Sequence, residues 1–400
     1  MNEITLGFWI LTFFLAYISN RNPVSLNWFF LVILFPYFCL AQIYKSGDEV
    51  FSIQLFVFFI NCSVLAGFYI FNSRISRLTE AFTAIGGSKL SSIAFNSFSF
   101  LAVISLFLLI EMLGGISDIQ SNQSAIVLKI PELGFLGKLL WEFGFLYFFA
   151  TAILIATQKS LGKIILHFLF GLTLFYIFGR RGVIINGLIV ILITYIIVNK
   201  VKISFLKAAL SFAAIFILLM IMLVFRLTSY DAGFTFNFEY LLSSPEFYIG
   251  NAFSKVFDDY GLYKDYRYGL DFLPYSLRNL FEIDLLASYP SIGAYISEEY
   301  FNGFNAGVPP SIYGTLYINF GWFSPLPAIL LAMFFSYIYS FALTTKINFN
   351  YFLPGLIFNW LYNFARLGDF WLSFSATMRL GILIILIFSI INYVAKGKNE

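Results

Sequence analysis

The sequence YGLYKDYRYGLDFLPYSLRN, residues 260–279, lies near the middle of a polar interval that runs from about residue 226 to residue 310. The regions on both sides are strongly apolar, and this interval alone has the length and polarity to fold outside a bilayer. It contains eleven acidic and five basic residues and many Tyr and Phe residues. Aromatic rings beside carboxylates commonly hold sugars, because ring faces pack on C–H groups while the acids accept hydroxyl hydrogens. The alternative is an interfacial aromatic belt with solvated charges.

The composition of the whole chain is typical of a membrane protein. The chain is 60% hydrophobic and 11% charged, whereas soluble proteins contain roughly 25% charged residues. Its 400 residues leave room for about ten or more helical spans of roughly 20 residues each. The net charge of +3 is spread over short loops, which argues against a surface for nucleic acid.

The apolar runs predict an all-α polytopic membrane protein with about eleven transmembrane helices and one large loop. The predicted spans cover residues 4–20, 24–44, 50–71, 93–113, 139–157, 163–179, 183–199, 204–225, 311–343, 351–365 and 371–394. The chain is thus divided into transmembrane helices over 1–225, the loop over 226–310 and transmembrane helices over 311–400. Within the ninth span, Gly321 and the Ser324–Pro327 segment predict a break, with 311–323 as a separate helix at the outer interface.

Lys and Arg residues in the short loops set the predicted orientation. Basic loops at residues 74–89, 159–163 and 200–207 are expected on the cytoplasmic side. Counting spans from them places the C-terminus inside, and the N-terminus and the 226–310 loop outside. Two arginine-containing turns, 180–182 and 366–369, also fall outside, against the positive-inside pattern. That violation requires a reason.

One arginine lies well inside the last predicted span. An arginine near the bilayer centre costs about 3 kcal/mol on insertion scales. We therefore expect Arg379 to snorkel outward or to pair with an acid, namely Glu111, Glu142 or Asp369.

Several guanidinium groups at the outer side point to a phosphate or diphosphate, because the planar fork donates two hydrogen bonds to two oxygens. A polyprenyl-diphosphate sugar places its tail in lipid and its diphosphate at this depth. If the diphosphate leaves during glycosyl transfer, a metal or fixed cations must stabilise its charge. No Asp-x-Asp occurs in the predicted outer loops, and Glu282-x-Asp284 is the nearest approach. We therefore expect arginines in place of a metal, and no cofactor.

The base that activates an acceptor hydroxyl should be a carboxylate on the outer side. The candidate catalytic residues are Asp258, Asp259, Glu298, Glu299 and Asp369. His167 lies towards the cytoplasmic end of the sixth span, so we expect a packed or hydrogen-bonded residue there and not a base.

Three stretches carry a resemblance to a known family. FGRRGVIINGLIV, residues 178–190, is similar to an arginine–glycine turn between two spans. YRYGLDFLPYSLRN, residues 266–279, resembles a loop segment that ends in a proline and a nearby arginine. VPPSIYGTLYINFGW, residues 308–322, is similar to a pattern that leads back into the membrane. The family is that of the O-antigen polymerases, the Wzy-type polymerases of bacterial oligosaccharide repeat units.

The resemblance covers about residues 160–325, while the first 150 residues match only as hydrophobic spans. Carried over by position, Arg181 matches the arginine of the turn, Arg278 that of the loop segment, and Arg226 one at a span end. The segment ARLGDF, residues 365–370, resembles a late arginine–glycine–aspartate turn with an extra leucine. The expected diphosphate-binding residues are Arg180, Arg181, Arg226, Arg278 and Arg366.

The resemblance implies a GT-C-like membrane glycosyltransferase at the periplasmic face of the bacterial inner membrane. Such an enzyme transfers the growing glycan from undecaprenyl diphosphate to the non-reducing end of a new lipid-linked repeat unit, with inversion and without a metal. Its partners would be the undecaprenyl-diphosphate-linked donor and acceptor, membrane lipid and a chain-length regulator protein. The product would be a surface polysaccharide such as the O-antigen of lipopolysaccharide.

Other functions remain open from the residues alone. An O-antigen ligase, which passes the finished glycan to another acceptor, would share the arginine chemistry. A flippase or another transporter of lipid-linked oligosaccharides is a different class. Transporters show paired repeats and polar residues near the midplane, whereas here the polar residues lie to one side. A receptor or structural membrane protein would not need the outer arginine pair.

Overall fold

A computed structural model describes residues 3–20, 25–39, 48–75, 89–121, 129–130, 132–157, 160–178, 181–199, 248–260, 266–274, 292–301, 309–344 and 352–396, with isolated positions between 204 and 224. Over these residues the chain is helical and forms no β-strand. The helices are α1 (Glu3–Ser19), α2 (Leu26–Phe38), α3 (Asp48–Ile75), α4 (Lys89–Met112), α5 (Ile116–Ser121), α6 (Gly134–Ala156), α7 (Leu161–Ile177), α8 (Arg181–Val198), α9 (Tyr248–Asp259), α10 (Ile292–Phe301), α11 (Ser311–Phe320), α12 (Pro325–Thr344), α13 (Phe352–Leu367) and α14 (Phe370–Lys396). The all-α prediction is confirmed.

Five helices in the described part of the chain are long and apolar enough to cross a membrane. Their apolar stretches are Val50–Ile70, Ser91–Met112, Gly134–Ala156, Pro325–Leu343 and Phe370–Ile391. Four shorter apolar helices, of 10–17 residues, are Glu3–Ser19, Leu26–Phe38, Leu161–Ile177 and Val183–Val198. The membrane character predicted from composition is therefore present in the helices, while the count of eleven spans, the GT-C fold and the three-part division stay predictions.

Helix α12 shows why these helices suit a lipid environment. One face carries the exposed apolar residues Leu326, Leu330 and Tyr337, spaced by four and seven positions. Another face buries Ala328 and Ala332. A surface helix of a soluble protein places charged or polar residues opposite its buried stripe. A helix with large apolar side chains on its outward face is instead matched to hydrocarbon.

The chain separates into two compact units. Unit 1 comprises Met1–Ser76, Ile203–Ile338 and Trp360–Ala376. Unit 2 comprises Arg77–Lys202, Tyr339–Asn359 and Thr377–Glu400.

Unit 2 is built around α6, which packs against α4, α7 and α8. The single histidine of the chain lies here. His167 stacks on the ring of Tyr147, with the ring centroids 4.1 Å apart. Its Nδ1 lies 2.8 Å from the hydroxyl of Thr151 and its Nε2 lies 3.2 Å from the hydroxyl of Ser99. The prediction of a packed, hydrogen-bonded histidine is confirmed.

Unit 2 also contains the partner of Arg379. The Nε of Arg379 donates a 3.2 Å hydrogen bond to Oε1 of Glu142. Of the three acids predicted as partners of Arg379, the one in contact with it is Glu142 of α6. Both residues lie within apolar stretches that are long enough to span a membrane, and the pair joins α14 to α6.

Unit 1 holds the described part of the large loop. Helix α9 is amphipathic, and its buried residues Ile249, Ala252, Phe253 and Val256 recur at helical spacing. This face packs on α11 and α2. Rings from α3, α9 and α11 and from the turn after α11 fill the interface, namely Phe56, Phe253, Phe257, Tyr313, Tyr317 and Trp322.

The predicted break in the ninth span is confirmed. Helix α11 ends at Phe320, a 3₁₀ turn covers Gly321–Phe323, and α12 begins at Pro325. Gly321 has φ +54°, and a Cβ there would overlap the ring of Tyr266. Proline is tolerated as the first helical residue, because the N–H that it lacks has no partner at that position. The break leaves α11 as a separate helix of ten residues.

Candidate functional site

A short turn of the large loop, residues 266–274, lies on the C-terminal end of α11. Backbone N–H groups of Arg267 and Tyr268 donate to the carbonyl oxygens of Ile318 and Asn319, at 3.0 and 2.9 Å. Tyr268 and Gly269 both adopt positive φ, at +50° and +89°. The turn then closes through a 3₁₀ helix over Leu270–Phe272.

A buried ion pair closes this turn from within. The guanidinium of Arg267 donates to both carboxylate oxygens of Asp271, at 2.8 and 3.0 Å. The side chains are 10% and 3% exposed, respectively. Burying a carboxylate is costly unless it is paired and hydrogen-bonded, and the two-pronged contact meets that need.

Asn319 joins this pair to α11. Its Nδ2 donates to Oδ2 of Asp271 at 2.9 Å and to the carbonyl of Thr315 at 2.8 Å. Its Oδ1 accepts from the backbone N–H groups of Gly269 and Asp271, at 3.0 and 3.3 Å. The amide thereby uses both its donors and its acceptor on partners from two stretches that are far apart in the chain. We call Arg267, Asp271 and Asn319 the loop lock.

The turn between α13 and α14 belongs to the same assembly. The Thr315 hydroxyl donates to the carbonyl of Gly368 at 2.9 Å, and the indole N–H of Trp371 donates to the carbonyl of Phe272 at 2.6 Å. Gly368 has φ +74°, and a Cβ there would overlap the backbone of Ser311. The predicted tight turn at 366–369 is therefore present, and it packs directly against α11 and the 266–274 turn.

Two of the predicted catalytic carboxylates, Asp258 and Asp259, end α9 beside this assembly. Burial and a hydrogen bond to Asp259 raise the pKa of the Tyr300 phenol above its ordinary value. Burial, and then its hydrogen bond to Tyr295, raise the pKa of the Tyr260 phenol, on which the charges of Arg267 and Asp271 also act. Both phenols are therefore neutral hydrogen-bonding groups at neutral pH.

The other three predicted carboxylates, Glu298, Glu299 and Asp369, also belong to unit 1. Glu298 and Glu299 are exposed on α10, which packs on α9. Asp369 caps α14, because its Oδ1 accepts the backbone N–H of Leu372 at 2.8 Å. A side-chain oxygen at this position satisfies one of the unpaired N–H groups of a helix start. The structure thus gives Asp369 a structural role as the cap of α14.

The structure describes the predicted diphosphate-binding arginines only in part. Arg366 lies in the last turn of α13, with its guanidinium carbon 5.8 Å from the centroid of the Tyr362 ring. Arg181 is the first residue of α8, and its side chain lies outside the described part. Arg180, Arg226 and Arg278 lie outside the described residues.

The sequence places Arg267 and Asp271 among the charges of the loop without a predicted role, and Asn319 enters only as the asparagine of the asparagine–phenylalanine–glycine pattern in the third stretch of the resemblance. Arg267 and Asp271 are four residues apart, the spacing at which opposite charges meet on one turn of helix. That spacing was a usable signal. For Asn319 the motif was a signal, but it could not indicate the partners, which are 48 and 50 residues away in the chain.

Comparison of the chain with models of protein families, with curated protein sequences and with solved structures gives no match. The resemblance to O-antigen polymerases therefore rests on the motifs quoted above.

Proposed function

We propose that this chain is a membrane glycosyltransferase that polymerises lipid-linked oligosaccharide repeat units at the outer face of the membrane. The observation that carries the proposal is the loop lock. It unites two of the three stretches that resemble the polymerase family, residues 266–279 and 308–322, through the side-chain contacts of Asn319 with Asp271. Motif residues that are distant in sequence thus meet in one buried network, which supports the proposal because it fixes the loop that would hold the sugars.

In this proposal the transfer is a direct displacement at the anomeric carbon of the donor sugar. The acceptor hydroxyl oxygen forms the new glycosidic bond, and the bond from the anomeric carbon to the diphosphate oxygen breaks. The hydroxyl proton passes to a carboxylate, and the diphosphate leaves with the electron pair. Arginines stabilise its developing charge without a metal.

Within the set of candidate bases, the geometry favours Asp258 and Asp259. They end α9, whose buried face packs on α11, so they lie on the element that supports the loop lock. Asp369 is a weaker candidate because its carboxylate caps α14. Glu298 and Glu299 on α10 stay as further candidates.

The test is the ladder of surface glycans on a gel, from the parent strain, from a strain with this gene deleted and from the strain with the gene restored. We expect the deletion to reduce the ladder to a single repeat unit on its acceptor, and restoration to return it. Loss of all surface glycan, with repeat units trapped inside the cell, would instead indicate a flippase. Polymer that is made but never reaches its final acceptor would indicate a ligase.

Metal independence is tested separately, on purified protein with lipid-linked repeat units. We expect polymerisation to continue in excess chelator. Activity that is lost with chelator and returns with magnesium would contradict the assignment of charge stabilisation to arginines.

A further inference from the structure

The 266–274 turn presents one aromatic side chain almost entirely to its surroundings. Tyr268 is 80% exposed, although its neighbours Arg267 and Asp271 are deeply buried. The ring therefore contributes little to the core of unit 1.

The backbone at Tyr268 makes this choice of residue costly. Its φ of +50° lies in the left-handed region, which a bulky residue rarely adopts and which glycine and asparagine accept readily. A turn selected for stability alone would carry one of those two residues here. The tyrosine occupies this position at a conformational cost, so its side chain should serve something other than folding.

The loop lock fixes the position of this ring. The N–H of Tyr268 is bound to the carbonyl of Asn319, and the next N–H, of Gly269, is bound to the side chain of the same asparagine. The Arg267–Asp271 pair closes the turn beneath it. A ring held on a rigid turn loses little freedom when it meets a ligand, which is the benefit of preorganisation.

The surroundings of the ring indicate the class of ligand. Tyr317 of α11 makes a ring contact with Tyr266 of the turn, with the centroids 5.9 Å apart, and it stacks on Phe257 of α9, with the centroids 4.4 Å apart. Asp258, which follows Phe257 at the end of α9 and is exposed, therefore lies near the turn. A carboxylate there disfavours an anion through repulsion and disfavours a hydrocarbon chain because it would be desolvated. A pyranose ring fits both features, since it offers a C–H face to the tyrosine and hydroxyl donors to the carboxylate.

We propose that Tyr268 is the residue on which a sugar ring of the oligosaccharide substrate stacks. This inference rests on the proposed function and assigns it a specific contact. Tyr268 then sets affinity for the sugar and takes no part in proton transfer.

The experiment measures binding of the free oligosaccharide repeat unit, released from the surface glycan of the source strain, to the full-length protein in detergent. Four variants separate the ring from the backbone: Tyr268→Phe keeps the ring, Tyr268→Leu keeps the strain and an apolar side chain, and Tyr268→Gly and Tyr268→Asn remove both ring and strain. We expect Tyr268→Phe to bind within about threefold of the parent, and the other three to bind about tenfold more weakly.

Thermal unfolding distinguishes loss of the ring from general damage to the protein. General damage would lower both the unfolding midpoint and sugar binding, whereas loss of the ring and of the strain should raise the midpoint and weaken binding. Tyr268→Gly and Tyr268→Asn should raise the unfolding midpoint by about 2 °C because they relieve the left-handed strain, while they weaken sugar binding. Tyr268→Leu should leave the midpoint near that of the parent.

Parent-like binding by Tyr268→Gly or by Tyr268→Leu would overturn the stacking proposal, and so would a parent protein that binds no oligosaccharide. The glycan ladder of the deletion strain distinguishes failure of the stacking proposal from failure of the proposed function. If the ladder collapses on deletion and Tyr268→Gly binds the oligosaccharide like the parent, the stacking role of Tyr268 is rejected and the proposed polymerase function is kept. An unaltered ladder in the deletion strain rejects both the polymerase function and the stacking role of Tyr268.

Discussion

The amide of Asn319 donates a 2.9 Å hydrogen bond to the carboxylate of Asp271, 48 residues earlier in the chain. Asn319 is fully buried and Asp271 nearly so. Through this contact the polar loop is fastened to a helix that leads back into the apolar part of the chain. The first three predictions concern the strength of this fastening and of the turn beside it.

Asn319→Asp should be among the most damaging single changes in unit 1. It replaces the donor that faces Asp271 with a second carboxylate in a site from which water is excluded. We expect the free energy of unfolding to fall by about 3 kcal/mol or more. Thermal unfolding in detergent measures this, with Asn199→Asp as the control, because Asn199 is exposed and bonded only locally to Tyr195. Equal midpoints for the two variants would contradict the lock.

The Arg267–Asp271 pair should show strong coupling in a double-mutant cycle. Removing one partner alone, by Arg267→Met or Asp271→Leu, leaves a buried charge and should cost about 3–5 kcal/mol of unfolding free energy. The double variant leaves neither charge, so it should cost clearly less than the sum of the single changes. Additive losses would show that the two side chains do not depend on each other.

Gly368→Ala should destabilise unit 1 for two reasons that a matched control separates. Alanine at φ +74° is strained, and its Cβ would overlap the backbone of Ser311. Gly134 has φ +69° and open space around it. Gly134→Ala therefore introduces the backbone strain without a steric overlap and should cost about 1 kcal/mol of unfolding free energy. We expect Gly368→Ala to lower the unfolding midpoint much further than Gly134→Ala. Similar midpoints would argue against close packing of the 366–369 turn on α11.

Substitutions of Asp369 separate a helix cap from a catalytic base. Asparagine keeps a side-chain oxygen for the Leu372 N–H but cannot accept a proton in catalysis, and alanine provides neither function. If Asp369 acts only as a helix cap, Asp369→Asn should retain most polymer formation, while Asp369→Ala should lose about 1 kcal/mol of unfolding free energy. The glycan ladder, at matched protein level, measures the first and thermal unfolding the second. Absence of polymer with normal Asp369→Asn protein would restore Asp369 as the base.

Arg181→Lys tests the diphosphate assignment that the sequence makes. Lysine keeps the charge but loses the planar fork that donates two hydrogen bonds. We expect the surface-glycan ladder to shorten severely while the amount of protein stays normal. A full ladder from this variant would remove Arg181 from the set of diphosphate-binding residues.

Much of the scaffold could be predicted from the sequence because apolar length and periodicity are local properties. The helical class, the break at Gly321 and the tight turn at 366–369 all follow from short stretches of residues. The environment of His167 was also predictable, since an ionisable residue among apolar ones must be packed and hydrogen-bonded. For Arg379 the sequence offered three acids as partners, and the choice of Glu142 needed the three-dimensional arrangement that brings its carboxylate within 3.2 Å of the arginine.

The candidate site was less predictable because its contacts depend on distances that a sequence does not contain. Asp271 was one of eleven acids in the loop. Its spacing of four residues from Arg267 indicates an ion pair, but no local feature indicates that this pair is buried. Asn319 acts through partners 48 and 50 residues away. The cap formed by Asp369 was within reach, since an aspartate directly before a helix is a recognised start signal. It was overlooked because the same carboxylate suited a catalytic role.

The pairing of Glu142 with Arg379 has a consequence for biogenesis. The two residues are 237 positions apart, and ribosomes add roughly 5–20 residues per second. Glu142 is therefore synthesised roughly 10–50 s before its partner exists. During that time α6 must be kept in the membrane without the contact that it makes in the finished protein. Assembly of unit 2 is thus completed only with the last helix, and a chain truncated before residue 379 should be a substrate for membrane quality control.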